Sequence, residues 1–174
     1  MIRRLDEGGS GTAYHVRSQD NQKEYVIKRI KNISRIEERM RELIKQESSI
    51  LQALDYPNII AFHRAFMDKK DSLNIVMEYA EHGSLYDLIK QRKASNEPFS
   101  EDEILNFFTQ ICLAVQYIHK KKVLHRDIKD ENIFLSKNFM VKLGDFGVSK
   151  ILEGTRYKAS TMVGTDSYMA PEVL

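Results

Sequence analysis

The chain has 174 residues, 42% of them hydrophobic and 30% charged, a soluble mixture with enough apolar material for a sizeable core in one domain or part of one. Lys and Arg number 27 against 25 Asp and Glu, and the resulting +2 argues against nucleic-acid wrapping or membrane-surface binding, which need clustered positive charge. The single cysteine, Cys112, excludes an internal disulfide and a cysteine-rich zinc site and suits a reducing compartment. The opening MIRRLDEGGS has no apolar run to make a secretory signal. No stretch approaches the roughly 18 apolar residues of a membrane span.

In chain order, Thr12–Arg17 and Glu24–Ile30 are rich in β-branched and aromatic residues and predict two strands joined by the polar turn Ser18 to Gln22. Ser34, with Glu37 three positions on, predicts a capped helix whose apolar stripe is Ile36, Met40, Leu43, Ile50 and Leu54. Glu47 falls in that stripe, where a carboxylate is costly unless paired. Tyr56-Pro57-Asn58 stops the helix, because proline disfavours helical geometry in the residue before it. Strands follow near Ala61–Met67 and Leu73–Tyr79, around the turn Asp68-Lys69-Lys70-Asp71.

From Gly83 onward the pattern becomes helical. A short helix is expected at Ser84–Arg92, a loop from Gln91 to Pro98, then a long helix capped by Ser100 and Glu103. Its core stripe is Ile104, Phe108, Ile111, Val115 and Ile118. The change from strands to helices sets a boundary near Glu81–Gly83, with no internal repeat and no low-complexity segment.

The decisive segments are VLHRDIKDENIFL, residues 123–135, and VKLGDFG, residues 141–147. With YVIK ending at Lys28, the stripe residue Glu47, and Ala170-Pro171-Glu172, the chain resembles the protein-kinase family in five places, in the family's order. The segments FFTQICLAVQYIHKKKVLHRDIK and NIFLSKN are most similar to NIMA-related serine/threonine kinases. The resemblance implies an α+β, two-lobed protein-kinase-like fold: an antiparallel-sheet small lobe over residues 1–80 and a partial helical large lobe over residues 81–174. It also implies that the chain stops just after Ala170-Pro171-Glu172, before further large-lobe helices.

What the resemblance implies for individual residues has a chemical reason. Phosphoryl transfer needs charge neutralised on three phosphates and an attacking hydroxyl held in line. By resemblance Asp127 is the base or orienting group for that hydroxyl, and Lys129 suits the transferred phosphate. Asn132 and Asp145 offer hard oxygen ligands to Mg²⁺. Lys28, held by Glu47, would meet the nearer phosphates of ATP. His125 is expected to be a packed core histidine stacked on Phe146, with Leu51 and Phe62 extending that stack. Met77 would guard the back of the adenine pocket, Glu78 and Ala80 would offer backbone hydrogen bonds, Val26 and Ala13 would roof the ring and Phe134 would floor it.

The sequence departs from the family pattern at several points. Counting back from Lys28, Gly11 is the third phosphate-loop glycine and Gly8 the second, while Asp6 stands at the first and Gly9 is extra. Asp6 would cost roughly 1 kcal/mol if that position required positive φ. Asp130 replaces a proline or small residue of most relatives, and Asp166 replaces a proline where a substrate would dock.

Arg126, before Asp127, implies an activation segment ordered by phosphorylation, with Thr161 as the modified residue, Ser160 as the runner-up, and Arg126 and Lys150 neutralising the phosphate. The expectation is therefore an ATP- and Mg²⁺-dependent protein serine/threonine kinase acting on protein Ser/Thr hydroxyls, with no nucleic-acid or membrane partner. An activating kinase or self-association would modify it, and its setting would be cytoplasmic, with nuclear or cytoskeletal association open. The alternative is a truncated or pseudo-kinase module that binds nucleotide or partners with little catalysis.

Overall fold

The strand-forming runs between Thr12 and Glu78 become one sheet in a computed structural model of the chain, which describes residues 1–8, 11–35, 38, 42, 49–146, 150–151 and 165–168. The chain divides into two compact units, Met1–Asp55 with Ala61–Tyr79, and Tyr56–Ile60 with Ala80–Leu174. Residues 56–60 are held within the second unit, where Leu143 N–H donates to Asn58 O and Ile60 N–H to Leu143 O.

The first unit is a five-stranded antiparallel sheet of β1 (Arg3–Gly8), β2 (Gly11–Arg17), β3 (Glu24–Ile30), β4 (Phe62–Met67) and β5 (Leu73–Glu78), in the order β1-β2-β3-β5-β4. Strand β1 was not expected from its polar sequence RRLDEG; it forms by backbone pairing with β2, from Arg3 opposite His15 to Gly8 opposite Gly11. Asp6 lies in that ladder opposite Ala13, a strand position that any residue can take, so the cost of lacking glycine there does not arise. Ile30 and Ile75 centre a core packed by Ile33, Phe62, Leu73 and Met77.

The β4–β5 turn is an Asx turn, in which Asp68 Oδ1 accepts from the amides of Lys70 and Ser72 at 2.8 and 3.1 Å. Ser34, in the 3-10 turn Ile33–Arg35, gives its amide and hydroxyl to Asp71. Residues 49–53 are helical, with Ile50, Leu51 and Leu54 buried. Ile36, Glu37, Met40, Leu43 and Glu47 lie outside the described residues.

The second unit holds α1 (Leu85–Ser95), α2 (Glu101–Lys120), β6 (Val123–Leu124), β7 (Ile133–Leu135), β8 (Val141–Leu143) and β9 (Lys150–Ile151), with β6 pairing β9 and β7 pairing β8. Both helices open on reciprocal capping boxes, Ser84 with Asp87 and Ser100 with Glu103. Helix α1 replaces part of the expected loop and ends where Asn96 turns left-handed at φ 55°, taking bonds from its amide to the Arg92 and Lys93 carbonyls. On α2 the expected stripe is only half covered. Toward its C-terminal end Ala114 and the stripe residue Ile118 are fully buried, whereas Ile104 and Phe108 nearer its start are 54% and 61% exposed. Among the described residues no helix is long and apolar enough to cross a membrane.

Candidate active site

The chain leaves β6 and places His125, Arg126 and Asp127 in succession. His125 is 2% exposed and fixes the loop from inside. The amide of Asp127 donates to His125 Nδ1 at 3.3 Å, so the ring's proton sits on Nε2, which donates to the Gly144 carbonyl at 2.9 Å. Burial pushes its pKa down against the pull of the Gly144 carbonyl and the charges of Asp145 and Asp127, which keeps the ring neutral at neutral pH. Phe146 meets it edge-on, with centroids 4.7 Å apart and planes at 61°, and not in the stack expected from sequence.

The carboxylate of Asp127 is held on both oxygens. Oδ1 accepts from the Thr165 hydroxyl at 2.7 Å, and Oδ2 accepts from Asn132 Nδ2 at 2.9 Å with Lys129 Nζ at 3.4 Å. Lys129 also donates to Thr165 Oγ1 at 3.0 Å, closing a ring of three side chains, Asp127, Thr165 and Lys129, to which Asn132 is added through Asp127. Burial raises the pKa of Asp127, but the Thr165 hydroxyl, the Lys129 charge and the Asn132 amide outweigh it and hold the group below its ordinary value. Asp127 is therefore ionised at neutral pH, a hydrogen-bond acceptor of the kind that can orient a hydroxyl.

Asn132 ends the 3-10 helix Asp130–Asn132 and gives its amide to the Asp127 backbone carbonyl at 2.8 Å as well as to its carboxylate. Both of its N–H groups are thereby used, and Oδ1 is the atom left to meet a cation. The β7–β8 hairpin brings the second oxygen donor alongside, since Gly144 N–H donates to Asn132 O at 3.0 Å and Asp145 follows directly. Asp145 is exposed and sits at φ 54°, a left-handed conformation that persists only where the surroundings impose it. Gly144 permits the approach, because a Cβ there would lie 2.8 Å from the Phe134 ring. Among the described residues no group of three His, Cys, Asp or Glu could cage an ion. A pair of hard oxygens fits Mg²⁺ that completes its shell with phosphate and water.

In the first unit, Ala13, Lys28 and Ile75 align across β2, β3 and β5, and Val26 lies opposite Met77. Gly8 lies opposite Gly11 at one end of the β1–β2 ladder. Gly11 has φ 125°, and a Cβ on it would come within 2.7 Å of the Arg29 carbonyl, so only glycine fits. Glu78 closes β5 opposite Tyr25 and gives its N–H to the Ala61 carbonyl at 2.9 Å. In the second unit, the Ala80 carbonyl accepts the Gly83 N–H at 3.3 Å.

Arg126 turns left-handed at φ 69°, and burial lowers its pKa. Lys150 pairs with Leu124 in the β6–β9 ladder, two residues from Arg126. Gly9, Glu47, Gly147, Ser160, Thr161 and Ala170-Pro171-Glu172 lie outside the described residues.

Sequence reasoning missed two members of the site. No sequence signal placed Thr165 on Asp127. Tyr168, whose hydroxyl donates to Asp130 Oδ1 at 2.5 Å, carried no signal of its own.

A family model described as the protein kinase domain matches residues 1–174. The chain is 42% identical over 172 residues to serine/threonine-protein kinase Nek1 of Mus musculus, and 41% over 174 residues to serine/threonine-protein kinase Nek5 of Homo sapiens. It is 40% identical over 176 residues to the probable serine/threonine-protein kinase nek3 of Dictyostelium discoideum. Each alignment takes in 99% of this chain but 14%, 24% and 16% of those relatives, so the chain spans under a quarter of their length. With the domain model matched from end to end and several Nek kinases near 40% identity, the chain belongs to the protein kinase family.

Proposed function

We propose that the chain transfers the γ-phosphoryl group of ATP to serine and threonine hydroxyls of proteins. The observation that carries this is the fully occupied carboxylate of Asp127, bonded by Thr165, Lys129 and Asn132. The Thr165 hydroxyl on Oδ1, the kind of group a Ser/Thr substrate presents, supports this reading. Lys129, 3.4 Å from Asp127 Oδ2, supplies positive charge beside the place where a phosphoryl group would arrive. ATP would supply the phosphoryl group and Mg²⁺ the neutralising charge on its phosphates. Asn132 and Asp145 would hold the metal, and Asn132 is kept in register by the same amide bonds that orient Asp127.

For the nucleotide, Lys28 would meet the phosphates under the Gly8–Gly11 turn, with Glu47 pairing it. Ala13, Val26, Met77 and Phe134 would enclose the base, and the Glu78 carbonyl and Ala80 amide would bond its edge. The lobes are taken as residues 1–80 and 81–174. Phosphate on Thr161, or on Ser160, added by another kinase or a second copy of this chain, would be neutralised by Arg126 and Lys150. The β6–β9 ladder supports that assignment by bringing Lys150 beside the strand that leads into Arg126. An intracellular, chiefly cytoplasmic setting goes with this function.

The test compares ATP–Mg²⁺ binding and phosphate transfer to a generic basic protein by this chain with the Asp127→Asn and Asp145→Ala variants. Transfer by the parent alone, with nucleotide binding retained in Asp127→Asn, is the expected result. Binding without turnover in the parent would refute the proposal and leave a nucleotide-binding module.

A further inference from the structure

The short 3-10 turn Asp166–Tyr168 is fastened to the catalytic loop at both ends. At its start the Thr165 hydroxyl reaches Asp127 at 2.7 Å. At its close the Tyr168 hydroxyl reaches Asp130 Oδ1 at 2.5 Å, and the turn is completed by Tyr168 N–H donating to Thr165 O at 2.8 Å. Asp130 opens the same 3-10 helix that ends in Asn132, so the two fastenings bracket the loop from Asp127 to Asn132.

We propose that Asp130 is a positioning residue for the protein substrate: through the Tyr168 hydroxyl it fixes the turn past which an incoming hydroxyl must travel to reach Asp127. The proposal deepens the kinase function above and rests on it. One bond at Thr165 would leave the turn free to pivot about that point. A second bond, three residues on, removes the rotation.

Packing does not do this instead, because Tyr168 is 52% exposed and its ring is held by its hydroxyl. The bond is of the strong, charge-assisted kind. It raises the phenol pKa to about 12, chiefly through the hydrogen bond to Asp130. The side chain at position 130 is specific to this arrangement, since a proline or a small apolar residue there offers no acceptor.

The experiment measures kcat, the KM for ATP and the KM for a Ser/Thr acceptor peptide in the parent chain and in Asp130→Ala, Asp130→Asn and Tyr168→Phe. Amide hydrogen exchange at residues 165–168 is followed in the same proteins. Loss of one charge-assisted bond between partly solvated groups predicts a peptide KM raised about threefold to tenfold in Asp130→Ala and Tyr168→Phe. The KM for ATP is expected to stay unchanged and kcat to hold within about twofold. Exchange at 165–168 accelerates in the same two variants. Asp130→Asn, whose amide oxygen still accepts from the phenol, restores both readouts.

Unchanged peptide KM and unchanged exchange in both disrupting variants would overturn the proposal, as would an Asn variant as impaired as the Ala variant. Should Asp130→Ala misfold, Tyr168→Phe, which alters only an outward hydroxyl, decides alone. A parent chain that phosphorylates nothing removes the kinase function, and the exchange rates then decide the fastening by themselves.

Discussion

Gln110 on α2 performs a double task with one oxygen. Its Oε1 accepts from Asn58 Nδ2 at 3.0 Å and from the backbone N–H of Val141 at 2.9 Å, while Nε2 donates to Asn106. Val141 is fully buried and Asn58 nearly so. Replacing Gln110 by Leu keeps the volume and removes the acceptor. Val141 N–H then faces apolar surroundings without a partner, a loss of about 1–3 kcal/mol for a buried donor. Asn58 keeps one bond, from Nδ2 to the Val141 carbonyl at 3.1 Å, and loses the other. The lost side-chain bond adds about 1 kcal/mol, for a total of about 2–4 kcal/mol. For a chain of this size that is a fall in Tm of about 4–16 °C.

Gln110→Glu retains both acceptor contacts and should lose less than about 1 kcal/mol, which separates the missing acceptor from any general disturbance of α2. Urea and thermal melts followed by circular dichroism measure both variants. A Leu variant within about 0.5 kcal/mol of the parent would refute the reasoning, since surface changes alone stay in that range.

Gly11→Ala places a Cβ 2.7 Å from the Arg29 carbonyl at φ 125° and should cost about 2–3 kcal/mol in a urea melt. A change below about 0.5 kcal/mol would show that the backbone at Gly11 relaxes freely. Burial lowers the pKa of His125 in the folded protein, so the unfolded chain binds the proton first as pH drops below about 6.5. Stability contributed by this ring is therefore present above that pH and lost below it, by at most about 1.4 kcal/mol per pH unit. His125→Gln should show a shallower loss between pH 7.5 and 5.5 in urea midpoints, and parallel slopes would contradict the assignment. Thr165→Val removes a bond that lowers the Asp127 pKa, so the acid limb of the kcat/KM profile should move to higher pH, while Thr165→Ser leaves it in place.

The sheet was readable because β2, β3, β4 and β5 carry side chains that prefer a pleated, half-buried surface. Strand β1 was not, because RRLDEG joins by backbone bonds that leave no apolar alternation. Helix α1 outran its expected end because Lys93, Ala94 and Ser95 are tolerable helix formers, and the left-handed Asn96 stops it before Pro98 can. The stripe on α2 correctly marked an apolar face, but periodicity does not say what covers a face, and Ile104 and Phe108 are exposed. In the site, Asp127, Lys129, Asn132 and Asp145 were named by motif because they are close in sequence. Thr165 and Tyr168 act on the loop across gaps of 38 residues, which no local pattern encodes.

The committed nitrogens of His125 also decide where a proton can go. Nδ1 receives from the Asp127 amide and Nε2 gives to the Gly144 carbonyl, so the imidazole has no vacant lone pair toward the loop. Under the proposed function, a hydroxyl proton taken up by Asp127 would meet a dead end at this ring. Its way out would lead past Thr165 and Lys129, the groups on the other side of the carboxylate. The buried ring would then act as an insulator between the aspartate and the core.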